Sequence, residues 1–228
     1  MAIETYLEIG SRRVFAGALD WPGWCRSGRG EAAALEALAT YGPRYAAALG
    51  DAARELALPA DEAALDVVER LQGDATTDFG APGIAPPADQ RPLDHAELGR
   101  QVELLRACWR AFDAAVEEAV RSGAPLRKGP RGGGRELHAI VSHVLEADLA
   151  YLARLGGQHR KTEGADVADE LALLRARMVE TLSSRARGEP PTRTPRSGVL
   201  WTPRYAIRRS AWHALDHAWE IEDRAGPS

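Results

Sequence analysis

The sequence predicts an α+β protein, a small N-terminal ββαβ module followed by a C-terminal four-helix bundle with a long crossover connection. Three observations point there. The first eighteen residues read as two short strands around a turn, the first alternating polar and apolar side chains and the second mixed. From about residue 93 onward, four long runs carry helical periodicity with recognisable stops. Between these regions, GDATTDFGAPGIAPPADQRP (73–92) is punctuated by glycine and proline. The expected division is a module over 1–75, a linker over 76–92 and a bundle over 93–228.

In the module, residues 4–9 (ETYLEI) and 12–18 read as two short strands around Gly10-Ser11. LDWPGWCRSGRG follows as a loop rich in glycine and aromatics. From Glu31 the chain is Ala/Leu-rich and helical, with a break or kink at Gly42-Pro43. Residues 63–71 are short and contain Val67 and Val68, which favours a strand.

The first long helix is expected over about 93–121, stopped by Ser122-Gly123. The second runs over about 134–155 and ends at Gly156-Gly157. The third runs over about 166–187, before Gly188 and the following prolines. The fourth starts at Thr202-Pro203, an N-cap followed by proline at the first helical position, and continues to about Arg224. The loop GEPPTRTPRSGVLWT after the third helix is long enough to cross a bundle.

Composition bounds the function. Apolar residues make up 45% and charged residues 27%, ordinary values for a globular protein. No apolar stretch approaches the roughly 20 residues that cross a bilayer, and no signal peptide is evident, so a cytoplasmic location is expected. Cys25 and Cys108 form neither a disulfide framework nor a CxxC motif. Residues 1–90 carry seven Arg against fourteen Asp or Glu. That acidic balance speaks against a nucleic-acid partner. A small-molecule substrate is expected instead, and the long bundle faces leave room for a homodimer.

The chemistry concentrates in RYAIRRSAWHALDHAWEIEDR. His213 and His217 are four residues apart, about 40° around a helix, so both imidazoles share a face. Two imidazoles one turn apart can hold a divalent ion. His143, on the second long helix, would complete a three-nitrogen site with open coordination positions. Ligand type alone leaves zinc, nickel and iron(II) open. The alternative is that the histidine pair caps the core through hydrogen bonds. Glu220 and Arg209 share the face of the pair. Glu146 stands three residues after His143, among small neighbours. Glu146 or Glu220 would serve as proton acceptor, and Arg209 would hold an anionic group of the substrate. Asp216 reads as a partner for a histidine or a surface charge. Tyr205, Trp212 and Trp219 form a seam at heptad spacing that reads as bundle core. His138 reads as structural or exposed, and His95 and His159 as solvated. HALDH lacks the glutamate of HExxH, which excludes the metalloprotease reading. Cys25 has no base nearby and reads as a plain cysteine.

ELHAIVSHVLEADLAYLARLG, with His143, and RRSAWHALDHAWEIEDR, with the H-x₃-H pair, resemble the DinB-like superfamily. That group includes DinB and YfiT-type proteins and mycothiol-dependent maleylpyruvate isomerase. The resemblance covers about residues 90–225. It implies a four-helix bundle holding a divalent metal at His143, His213 and His217. It also implies a thiol S-transferase or isomerase that uses a low-molecular-weight thiol; many members have no known activity. VFAGALDWPGWCRSGRGEAAALEAL resembles the HicB-like antitoxin fold over about residues 4–50. That likeness implies toxin neutralisation and a DNA-binding segment. The domain is acidic and lacks a basic ribbon, so a docking or lid module is favoured over an antitoxin.

Overall fold

The computed structural model describes residues 2–123, 125–128, 134–194 and 198–225. It is a mixed α+β structure. Strands β1 (Ile3–Ile9), β2 (Val14–Ala18), β3 (Cys25–Gly28) and β4 (Leu65–Gln72) form one sheet in the order β3-β2-β1-β4. Pairing is antiparallel except for β1 with β4, which run parallel. A parallel pair needs a crossover. It is supplied by α1 (Glu31–Thr40) and α2 (Gly42–Leu49), divided at the predicted Gly42-Pro43 break. α3 (Ala75–Phe79) follows β4, and then come the long helices α4 (His95–Ser122), α5 (Leu137–Leu155), α6 (Val167–Ala186) and α7 (Pro203–Ala225).

Helix ends obey their local chemistry. Asp94 accepts from the Glu97 N–H at 2.8 Å, Asp166 from Ala168 at 2.8 Å and Thr202 from Tyr205 at 3.3 Å. Gly123 closes α4 at φ +64°.

Three expectations need correction. The module has a fourth strand, because CRSG, read as loop, pairs with β2 from Gly17↔Cys25 to Val14↔Gly28. Its glycine and serine hide a strand that pairing, not propensity, specifies. The segment read as a linker is packed. It holds α3 and a 3₁₀ turn at Pro87–Gln90, and Thr77 and Asp89 are fully buried. The buried Glu8 of β1 gathers it in, accepting from the Thr77 hydroxyl at 2.5 Å and from the Gly83 and Ile84 N–H groups at 2.9 and 3.0 Å.

The third correction concerns the crossover. Asp148 of α5 lies 4.0 Å from Arg175 of α6, and further along Gly157 abuts Thr181. Numbers rise together, so α5 and α6 run the same way. The 156–166 connection therefore doubles back along them, with His159 bonded to Glu170 at 2.6 Å and Lys161 paired with Glu146. The proline-rich loop after α6 does not cross, since Arg193 and Trp201 both bond the end of α5. α4 and α7 are also parallel, joined by Trp109 Nε1 to Ser210 Oγ at 3.3 Å and by Arg127 N–H to the Arg224 carbonyl at 3.0 Å.

One hydrophobic core runs through sheet and helices, including Leu7, Trp24, Leu38, Leu105, Ile140, Leu174 and Leu215. The Trp-Pro-Gly-Trp turn is the plug between them. Gly23 adopts φ +93°, and a Cβ there would lie 3.0 Å from Leu215 and 3.2 Å from Cys108 Sγ. Only glycine combines that backbone with that approach. Trp24 stacks on Tyr45 and donates to the Leu38 carbonyl at 2.8 Å.

Candidate metal centre

α7 is buried around most of its circumference. One side meets α4, α5 and α6, and the other meets the 3₁₀ turn and, through Trp212, Asp216 and Trp219, the module. This placement corrects the reading of the aromatic seam. Trp212 packs edge-on to Phe15 of β2 and belongs with Cys25, while Trp219 lies against Tyr41. Tyr205 donates to the Gly83 carbonyl at 2.7 Å. The heptad-spaced rings bind the N-terminal part, because α7 has two faces to satisfy.

His213 and His217 lie one turn apart on α7, and α5, running antiparallel, brings His143 between them. Ring centroids are 5.1 Å (143–213), 5.0 Å (143–217) and 4.6 Å (213–217) apart. One nitrogen from each ring falls within 4.8 Å of the others. Nε2 of His143 and Nε2 of His213 are 3.2 Å apart. Two ligands about 2.1 Å from a tetrahedral ion would be roughly 3.4 Å apart. Nδ1 of His213, on the far side of its ring, is buried with no hydrogen-bond partner among the described residues. The donor set and its spacing fit a divalent ion.

Protonation favours the same outcome. Burial holds the His143 imidazolium disfavoured, with help from Arg135 and His217, and its pKa is lowered. Burial lowers His213 far more, reinforced by His217 and Arg209. Both rings therefore keep lone pairs available at neutral pH. His217 Nδ1 donates to Glu220 Oε2 at 2.8 Å, which directs Nε2 toward the other rings. Glu220 Oε1 is held in turn by Arg224 at 2.8 Å. The hydrogen bond from His217 keeps the Glu220 carboxyl below its ordinary pKa. A carboxylate behind a ligating histidine orients the ring and raises its basicity.

The two other predicted residues divide. Arg209 belongs to the site, stacked 4.6 Å over Trp212 and 5.6 Å from Tyr151, itself edge-on to His213. Its Nη1 is buried without a partner. Glu146 is exposed and paired with Lys161, whereas Glu220 is bonded to His217. Asp216 bonds no histidine; its side chain is 42% exposed and pairs with Arg26 of β3 at 3.6 Å, in keeping with the surface-charge reading. His138 and His95 are exposed as read, but His159 is half-buried and held by Glu170. Cys25 is buried under Tyr6, and desolvation pushes its thiol up to about 12, the behaviour of an inert cysteine.

Comparison with protein-family models, with curated proteins and with solved structures finds no match.

A buried polar group beside the triad escaped sequence reasoning. Asp148 accepts from Ser210 Oγ at 3.1 Å, and its second oxygen, 4.0 Å from Arg175 Nε, has no hydrogen bond among the described residues. Arg175, which donates to Asp113 at 2.8 Å, leaves Nε and Nη2 unpartnered nearby. The available signal was an aspartate at i+4 from Val144 and i+8 from Ile140, on the core stripe of α5.

Proposed function

We propose that the four long helices form a DinB-like four-helix bundle that binds a divalent metal through His143, His213 and His217. The chain is an enzyme acting on a small anionic molecule, as a thiol S-transferase or a hydrolase. The observation that carries this reading is the convergence of three imidazoles, with one nitrogen of each within 4.8 Å of the others. Zinc, nickel and iron(II) all suit three nitrogens, and such an ion lowers the pKa of a thiol or water toward neutrality. Glu220 holds His217 in its ligating tautomer and accepts a proton at Oε2 when that bond opens. Arg209 offers an unpaired guanidinium N–H beside His213, a partner for a carboxylate or thiolate. The N-terminal module acts as a docking layer, closing the outer face of α7 over Trp212 and Trp219.

Elemental analysis of protein purified without a histidine tag tests the proposal. The expected result is one equivalent of zinc, nickel or iron per chain, lost in His217→Ala with secondary structure intact. Full metal retained by that variant refutes the assignment.

A further inference from the structure

The other end of α5 and α6 carries a second concentration of chemistry. A crevice of about 710 Å³ opens there between the C-terminal half of α6, the end of α5 and the loops beyond. Gly156 on its wall lies thirteen residues past His143, about 20 Å along α5, so the crevice is separate from the histidines. Arg160, Arg177, Arg185 and Arg193 line it. Its single carboxylate, Glu180, is already held by Arg177 at 2.7 Å. The chain as a whole carries a net charge of −4, so this cationic cluster runs against the general balance.

We propose that this crevice binds a small phosphate-bearing anion with more than one negative charge. Its volume suits a small molecule, and its concavity suits neither a duplex nor a flat bilayer. Arg160 and Arg193 stand on loops with no carboxylate partner among the described residues. Arg185 donates Nη1 to the Glu189 carbonyl at 2.8 Å but keeps Nε buried and unpartnered. Guanidinium forks match phosphate oxygens in pairs, and several forks on one crevice select a multivalent anion. The hydroxyls are sorted as well. Thr181 and Thr192 spend their protons on the Arg177 and Gly156 carbonyls, at 2.8 and 3.0 Å. Ser184 accepts from Arg187 at 3.5 Å and bonds the Glu189 carboxyl, so the anion contacts fall to the guanidinium groups. Arginines often neutralise the negative end of a helix. That role covers Arg185 near the end of α6. It does not cover Arg177, nine residues before Ala186, or the two loop arginines.

The test is calorimetric titration of the full chain with inorganic pyrophosphate, at low salt and with chelator present. Saturable one-site binding is expected, weakened about tenfold or more in Arg160→Ala/Arg193→Ala and in Arg185→Gln. It should weaken with added salt. Arg12→Ala/Arg13→Ala, which alters a different basic crevice, should bind like the parent. His217→Ala should also bind normally, so this proposal and the metal proposal fail independently. Co-sedimentation with phosphatidylcholine vesicles doped with a phosphoinositide should show no binding. Absence of saturation at about 10 mM, well past ordinary ligand affinities, overturns the proposal. So do equal affinities for parent and Arg160→Ala/Arg193→Ala, or binding to the vesicles alone.

Discussion

Removing the carboxylate of Asp89 should unseat the joint between the N-terminal part and α7. Asp89 is fully buried. Its two oxygens accept from Arg208 Nε at 2.8 Å and Nη2 at 2.7 Å. The same guanidinium donates to the Ala18 and Leu19 carbonyls, each at 2.8 Å. One side chain of α7 thus pins the 3₁₀ turn and the end of β2 together. Asp89→Ala strands a buried guanidinium, a loss of about 3–5 kcal/mol. For a chain of this length, about 2–4 °C of melting temperature follows each kcal/mol, giving a drop of roughly 6–20 °C. Arg208→Met strands the carboxylate and two carbonyls, the latter adding about 1–3 kcal/mol each. The double variant loses both charges together and should cost about 2–3 kcal/mol less than the two single losses summed. Urea unfolding followed by circular dichroism reads each value from the midpoint at constant slope. Strict additivity, or a loss under about 1 kcal/mol for Asp89→Ala, would refute the pin.

Two further outcomes follow from groups beside the triad. Glu220→Gln removes the charge behind His217 and should weaken metal binding by about 10–100-fold, measured by competition with a chromophoric chelator; unchanged affinity would remove Glu220 from the site. Burial raises the Asp148 carboxyl to about 6 from an ordinary 3.8, so its contribution to stability is complete below pH 3.8 and is lost as pH rises through 6. That loss is worth about 3 kcal/mol. The stability of Asp148→Asn relative to the parent should therefore rise by about that much between pH 4 and pH 7. A difference flat with pH would mean that Asp148 stays charged throughout.

The sequence exposes features whose cause is local and conceals those whose cause is a partner. Asp94, Asp166, Thr202-Pro203 and Gly123 act on their own helix ends, so the four long helices were legible to within a few residues. The i,i+4 spacing of His213 and His217 is likewise a property of one helix. Periodicity also put His143 on the second long helix, now α5. It could not say which surface each face of α7 would meet, and so Trp212 and Trp219 were given to the wrong neighbour. β3 has no strand-like pattern of its own and exists because β2 needs an outer partner. The packing of 76–92 depends on Glu8 and Arg208, far away in order. Glu146 looked inward by spacing alone, yet Lys161, on a connection that doubles back, holds it in solvent.

α7 is a party wall. The imidazoles hang on one side and the indoles on the other, with a single backbone between them. The first ninety residues are thus no portable appendage. Cutting them away would bare three large rings to water and leave the histidine-bearing helix without its backing, so any transplant of this site must carry the sheet along.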